Sequence, residues 1–143
     1  MASTYTPCAS CGAINRVDMG VAATKEPACS RCHETLPLEG GVATVDEKGL
    51  DLLLRVSPLP VVVDFWAPWC GPCRSFAPVF RQVAQERAGR EVFAKLDTES
   101  SPTAGARFSV RAIPTLIRFA GGEEHKRQAG AMPAAMLRGW LDT

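Results

Sequence analysis

The chain has 143 residues, 46% of them hydrophobic and 22% charged, the composition of a folded globular protein rather than a disordered one. Lys and Arg number 16 against 15 Asp and Glu, a formal net charge of +1, so no basic field for nucleic acid or an anionic membrane is expected. No apolar run approaches the roughly 18 to 20 residues that span a bilayer, and Met1-Ala2-Ser3-Thr4-Tyr5 shows no charged-then-apolar leader, which makes a cytoplasmic location the default expectation.

Residues 1–40 carry four of the six cysteines, few large apolar side chains and no amphipathic helix. Such a segment buries too little surface to fold unaided and needs a metal, disulfides or a partner. The spacing Cys8-x2-Cys11-x17-Cys29-x2-Cys32 suits two knuckles that aim four thiolates at one ion in a closed tetrahedral site. Zinc is favoured, although four sulfurs alone do not exclude iron; two disulfides or four free thiols are the alternatives, and a reducing compartment disfavours disulfides. His33 follows Cys32 directly and is kept out of the ligand set as a solvent-facing neighbour. Gly40-Gly41 reads as a hinge between a small zinc-ribbon-like module (1–40) and the domain that follows (41–143).

In residues 41–143, strand-like and helix-like segments alternate. Thr44-Val45-Asp46-Glu47 has the form of a capping box, with Leu50, Leu53 and Leu54 at helical spacing behind it. Leu59 to Trp66 is an apolar, β-branched run expected to be a buried central strand. After a turn at Pro68 to Pro72, Phe76, Val79, Phe80 and Val83 mark a helix that should run to about Ala88, kinked at Pro78 and ended at Gly89. Glu91 to Asp97 reads as a strand. Ser101-Pro102 reads as an N-cap and first helical position of a short helix reaching Arg107. Thr115–Ala120 and roughly Glu124–Gln128, joined through Gly121-Gly122, read as a hairpin. Pro133 opens a last helix with Met136, Leu137, Trp140 and Leu141 on one face. The order β-α-β-α-β-α-β-β-α predicts an α/β fold, a mixed sheet with helices on both faces.

The chemistry concentrates at Trp69-Cys70-Gly71-Pro72-Cys73, between a buried strand and a helix. A thiol at a helix N-terminus meets unpaired backbone N–H groups and the positive end of the helix dipole, both of which favour thiolate, the nucleophilic form. Two intervening residues let the sulfurs bond, with Cys70 the exposed attacker and Cys73 the sheltered resolving thiol. Strand alternation places Val62, Asp64 and Trp66 on one sheet face. A carboxylate inside such a strand is costly unless paired or protonated, so burial should raise the Asp64 pKa and suit it to accept the Cys73 proton; a strand-end cap is the plainer alternative. Trp69 is a candidate for apolar surface around Cys70. Arg74 and Arg111 fall near the site as solvated charge, and His125 as plain surface.

Phe65-Trp66-Ala67-Pro68-Trp69-Cys70-Gly71-Pro72-Cys73 and Ile113-Pro114-Thr115 resemble the active-site run and the cis-proline segment of the thioredoxin family, over essentially all of residues 42–143. The whole chain resembles the thioredoxin-2 type, in which a zinc-binding module with two Cys-x-x-Cys pairs precedes that domain. The resemblance implies a thioredoxin fold and a protein-disulfide reductase acting through Cys70 and Cys73. It implies a buried carboxylate at Asp64 with Lys95 beside it, and a cis bond at Pro114. It further implies substrate contacts at Trp69, Ile113, Pro114 and Gly130, with Ile113 and Ala131 adding apolar surface around Cys70, and zinc on Cys8, Cys11, Cys29 and Cys32. The implied partners are disulfide-containing proteins and an NADPH-dependent thioredoxin reductase; no dinucleotide fingerprint is present in the chain, and a monomer is expected. Two other readings stay open. In one, oxidation of the four N-terminal thiolates releases metal and signals. In the other, residues 1–40 are a binding adaptor.

Overall fold

The structure, a computed structural model, describes residues 2–22 and 26–143. A two-stranded antiparallel hairpin comes first, β1 (Ser3–Pro7) with β2 (Ile14–Asp18), followed by a single helical turn, α1 (Met19–Ala22). Residues 1–40 carry no obvious strand pattern, yet β1 and β2 alternate buried Thr4, Thr6, Asn15 and Val17 with more accessible neighbours. The inward residues are mostly polar, so hydrophobic periodicity does not reveal the hairpin.

β3 (Leu38–Glu39) and β4 (Val42–Thr44) form a second short hairpin, closed by Gly40 and Gly41 at φ of 56° and 84°. Two consecutive left-handed residues make the tight turn that glycine alone enters without strain. The pair expected to act as a hinge is therefore a β-turn. The remaining elements are α2 (Glu47–Val56), β5 (Val61–Trp66), α3 (Gly71–Glu86), β6 (Val92–Asp97), α4 (Pro102–Arg107), β7 (Thr115–Ala120), β8 (Glu123–Ala129) and α5 (Ala134–Asp142). The sheet order is β3-β4-β6-β5-β7-β8; β4, β6 and β5 run parallel, and β7 and β8 run antiparallel. This is the mixed α/β architecture expected from the sequence.

Strand alternation divides the core. Val61, Val63 and Phe65 join Leu50 and Leu53 of α2 and Ala104 of α4 on one side. Val62 joins Phe76, Phe80 and Val83 of α3 and Leu137 and Leu141 of α5 on the other. Asp64 and Trp66 continue the Val62 face, under α3.

Several local expectations change. Asp46, not Thr44, caps α2: its carboxylate accepts the Gly49 N–H at 2.7 Å, while Thr44 belongs to β4. Ser101 precedes α4 but makes no side-chain cap bond. α3 stops at Glu86, two residues early, because the Arg87 N–H closes the last turn on Val83 before Gly89 bends the chain. Met136 is 56% exposed, while Leu137 and Leu141 carry the buried stripe of α5. Among the described residues, no helix is long and apolar enough to cross a membrane.

Candidate functional site

Cys70 is the N-cap of α3, and its sulfur accepts the N–H of Cys73 at 3.2 Å. The local sequence dictates this: Gly71-Pro72 starts the helix, Pro72 has no N–H to leave unpaired, and the first free donor of the turn points at the capping sulfur. Cys70 and Cys73 are joined as a disulfide with Cα atoms 5.2 Å apart. Both are buried; the expected exposure of Cys70 is not found in the disulfide form, where the residue is 5% exposed and its sulfur lies 3.8 Å from the Ile113 carbonyl oxygen. Trp69, by contrast, the residue before Cys70, is 67% exposed. Arg74 reaches back to the Pro68 carbonyl at 2.8 Å and braces the turn.

The Ile113-Pro114 bond is cis, and Pro114 and Thr115 begin the return to the sheet at β7. Ile113 packs on the Ala67/Cys70/Cys73 cluster, as does Trp66. Gly130 has φ of 97° and donates its N–H to the Pro114 carbonyl at 2.8 Å, which ties the end of β8 to the cis-proline segment. Ala131 is exposed next to it. The structure thus gathers Trp69, Ile113, Pro114 and Gly130 in the segments around the Cys70–Cys73 pair.

Asp64 is 4% exposed and its Oδ1 has no hydrogen-bond partner among the described residues. Burial pushes its carboxyl up to about 7, and the Lys95 ammonium offsets part of that rise. Lys95 sits directly opposite Asp64 across the β5–β6 pair, with its Nζ 5.2 Å from the centre of the Trp66 ring. A buried carboxyl with one oxygen unpartnered and its pKa raised by burial, on the face covered by the Cys73 helix, is suited to exchange protons there.

The N-terminal cysteines form a separate cluster. All four sulfurs lie within 4.8 Å of one another, with Cys8 to Cys32 at 3.5 Å and Cys11 to Cys29 at 3.6 Å. Sulfurs bound at about 2.3 Å around a tetrahedral ion are about 3.8 Å apart, so the cluster has the dimensions of a four-thiolate metal site. Each knuckle is built alike. Cys8 N–H donates to Ala13 O and Gly12 N–H to Cys8 O; Cys29 N–H donates to Glu34 O and His33 N–H to Cys29 O. The thiols do not share one acidity. The Cys32 N–H, aided by the Asn15 amide, pulls Cys29 down to about 5, and the Cys11 N–H lowers Cys8. Cys32 receives help from the Glu34 N–H, but burial and the three neighbouring sulfurs push it up to about 12. A cluster with two thiols made more acidic and one made less so resists full ionisation, which a bound divalent cation would favour. Asn15, which sequence reasoning did not single out, locks the second knuckle: its Oδ1 accepts the Ser30 N–H at 2.9 Å and its amide faces Cys29 at 3.5 Å.

Trp66 stands between the two cysteine sites. It packs on the Cys70/Cys73 cluster, and it also lines a cleft of about 580 Å³ that Cys8 and Cys11 line too.

Comparison with known proteins agrees with this geometry. Residues 41–143 match the family model described as Thioredoxin. The chain is 45% identical to Thioredoxin C-3 of Corynebacterium nephridii over 136 residues, 94% of this chain and 91% of that protein. It is 48% identical to Thioredoxin 1 of Chlorobaculum tepidum over 89 residues, 62% of this chain and 88% of that one. With the chloroplastic M-type thioredoxin of Zea mays it shares 42% identity over 101 residues, 71% of this chain and 60% of the maize protein. With the vicinal cysteine pair at the head of α3 and a matching domain that reaches the last residue, the chain belongs to the thioredoxin family of protein-disulfide reductases.

Proposed function

We propose that this protein reduces disulfides in other proteins through Cys70 and Cys73, with Asp64 as the proton acceptor and with zinc held by Cys8, Cys11, Cys29 and Cys32. The observation that carries the redox reading is the Cys73 N–H aimed at the Cys70 sulfur at 3.2 Å from the start of a 16-residue helix. In the reduced protein that donor and the helix dipole favour a Cys70 thiolate. The thiolate attacks one sulfur of a substrate disulfide; a mixed disulfide forms and the other substrate sulfur leaves as a thiolate. Cys73 passes its proton to Asp64, through water, and attacks the Cys70 sulfur. The second substrate thiolate leaves, two electrons have gone to the substrate, and Cys70–Cys73 is oxidised. Lys95 tunes the acidity of Asp64. Trp69, Ile113, Pro114 and Gly130 form the groove in which an extended substrate segment lies, paired to the backbone beside Pro114.

The four-thiolate site supports a chain of the thioredoxin-2 type, a zinc-binding module over residues 1–40 before a redox domain over 41–143. Zinc supplies folding free energy to the module when bound, and no step of the exchange passes through it. Clustered free thiols suit the reducing cytoplasm. An NADPH-dependent thioredoxin reductase restores the dithiol, and the protein acts as a monomer. The test is insulin reduction with dithiothreitol as donor, on wild type and Cys70→Ser, with metal analysis of the same samples. Wild type turns over, Cys70→Ser does not, and both carry one zinc per chain; equal turnover by Cys70→Ser would overturn the redox reading.

The cross-knuckle distances of 3.5 and 3.6 Å favour one second reading, in which oxidation links Cys8 to Cys32 and Cys11 to Cys29 and releases the metal. Graded peroxide that leaves zinc bound and activity unchanged removes it.

A further inference from the structure

Among the described residues, Lys95 is the charged side chain that bears directly on Asp64, yet its ammonium has a second partner. Glu39, in β3, places Oε2 3.5 Å from Lys95 Nζ, while its Oε1 lies 3.6 Å from Arg81 on α3. β3 is the last strand before the Gly40-Gly41 turn, so this carboxylate comes from the N-terminal part of the chain. It reaches Lys95 because β4 lies between β3 and β6, with Thr44 opposite Lys95 and Lys95 opposite Asp64. The Lys95 ammonium is therefore flanked by the Trp66 ring, the Glu39 carboxylate and, across the strand pair, Asp64.

We propose that Glu39 is a positioning residue for disulfide exchange: by pairing with Lys95 it withholds part of that positive charge from Asp64 and so sets the pH range over which Asp64 takes the Cys73 proton. The proposal rests on the reading of Asp64 as proton acceptor. β6 supplies Lys95; β7 places the uncharged Leu116 opposite Asp64; α3 supplies Cys73 and, facing Glu39 rather than Asp64, Arg81; β3 supplies Glu39. An ammonium paired with a carboxylate acts at a distance as a dipole, and removing the carboxylate restores the full charge. The pair is partly exposed, with side chains 23% and 65% accessible, so the effect is a moderate, salt-dependent one.

The experiment reads Asp64 directly. In the full-length oxidised protein, where Cys70 and Cys73 do not titrate, the carboxyl carbon-13 shift of Asp64 is followed against pH and assigned with Asp64→Asn. Glu39→Gln is expected to lower the Asp64 midpoint by about half a unit, a roughly threefold change in its protonated-to-ionised ratio. Glu39→Asp, which keeps the charge, should restore most of the wild-type midpoint, and Glu39→Gln in a Lys95→Met background should produce little shift. The pH profile of insulin reduction should move with the carboxyl midpoint. An unchanged or raised midpoint in Glu39→Gln, or the same shift without Lys95, overturns the proposal. A rate lowered equally at every pH also overturns it, since that marks a merely structural role. Failure of the Asp64 reading shows itself separately, as wild-type exchange rates in Asp64→Asn.

Discussion

Gly12 and His33 hold the same place in two matching knuckles: each follows the second cysteine of its pair, each donates its N–H to the carbonyl of the first, and φ is 77° at one and 68° at the other. Glycine enters that conformation freely; histidine pays about 1 kcal/mol for it. His33 is thus a backbone position before it is anything else. Replacing His33 with Gly should leave metal affinity equal or higher. Replacing it with Val, whose branched side chain fits the left-handed region worst, should weaken affinity about tenfold, near the 1 to 2 kcal/mol of that strain. Competition for cobalt or zinc with a chromophoric chelator reads both outcomes.

Asp64 should cost the fold stability at neutral pH. Its carboxyl titrates near 3.9 in the unfolded chain and at about 7 in the folded one. Between those values the native state holds a proton that the unfolded state has lost, so stability falls as pH rises from about 4 to about 7 and then levels off. The three-unit gap corresponds to roughly 4 kcal/mol. Asp64→Asn should show little change from wild type at pH 4 and grow more stable relative to it up to pH 7 and above. Urea unfolding at a series of pH values measures the difference.

Removing metal should affect the two parts of the chain unequally. The cluster around Cys8, Val17, Cys29 and Leu36 is small and built on the knuckles. The redox domain has two large apolar clusters, one on each sheet face. With a strong chelator present, calorimetry should show a low-temperature transition for the β1–β2 region and little change in the main one, and the amide signals of β1 and β2 should broaden first.

Glu91 is the most deeply buried carboxylate outside the redox site. Its side chain is 1% exposed, with Oε1 held by Arg87 at 2.5 Å and Oε2 by Arg118 at 3.0 Å. Removing Glu91 takes a buried counter-charge from two guanidinium groups, although Arg87 keeps Asp142 at 2.8 Å, and the cost is about 3 kcal/mol. Glu91→Ala should lower the urea midpoint by a corresponding amount while leaving insulin reduction intact, and Glu91→Gln should lose less.

How far the sequence leads depends on what each element buries. β5 announces itself because both of its faces are apolar except at Asp64, and the Leu50/Leu53 stripe does the same for α2. The redox pair is equally plain, since proline, glycine and two cysteines at a strand–helix junction leave little choice of geometry. The β1–β2 hairpin is hidden because its inward positions, Val17 apart, are threonine and asparagine, with Thr6 and Asn15 satisfied by polar contacts. The capping residue of α2 is ambiguous because Thr44 and Asp46 are both competent caps, and only pairing of Thr44 into β4 decides between them. The Glu39–Lys95 contact spans 56 positions along the chain, a distance over which no local pattern speaks.

β3 is only two residues long, yet it lies along the outer side of β4. A chain trimmed to begin at residue 41 would lose that cover and leave the backbone of Val42–Thr44 open along one margin. Open strand margins recruit strands from other molecules. Leu38 and Glu39 therefore shield that margin, and a shortened form is expected to self-associate unless they are kept.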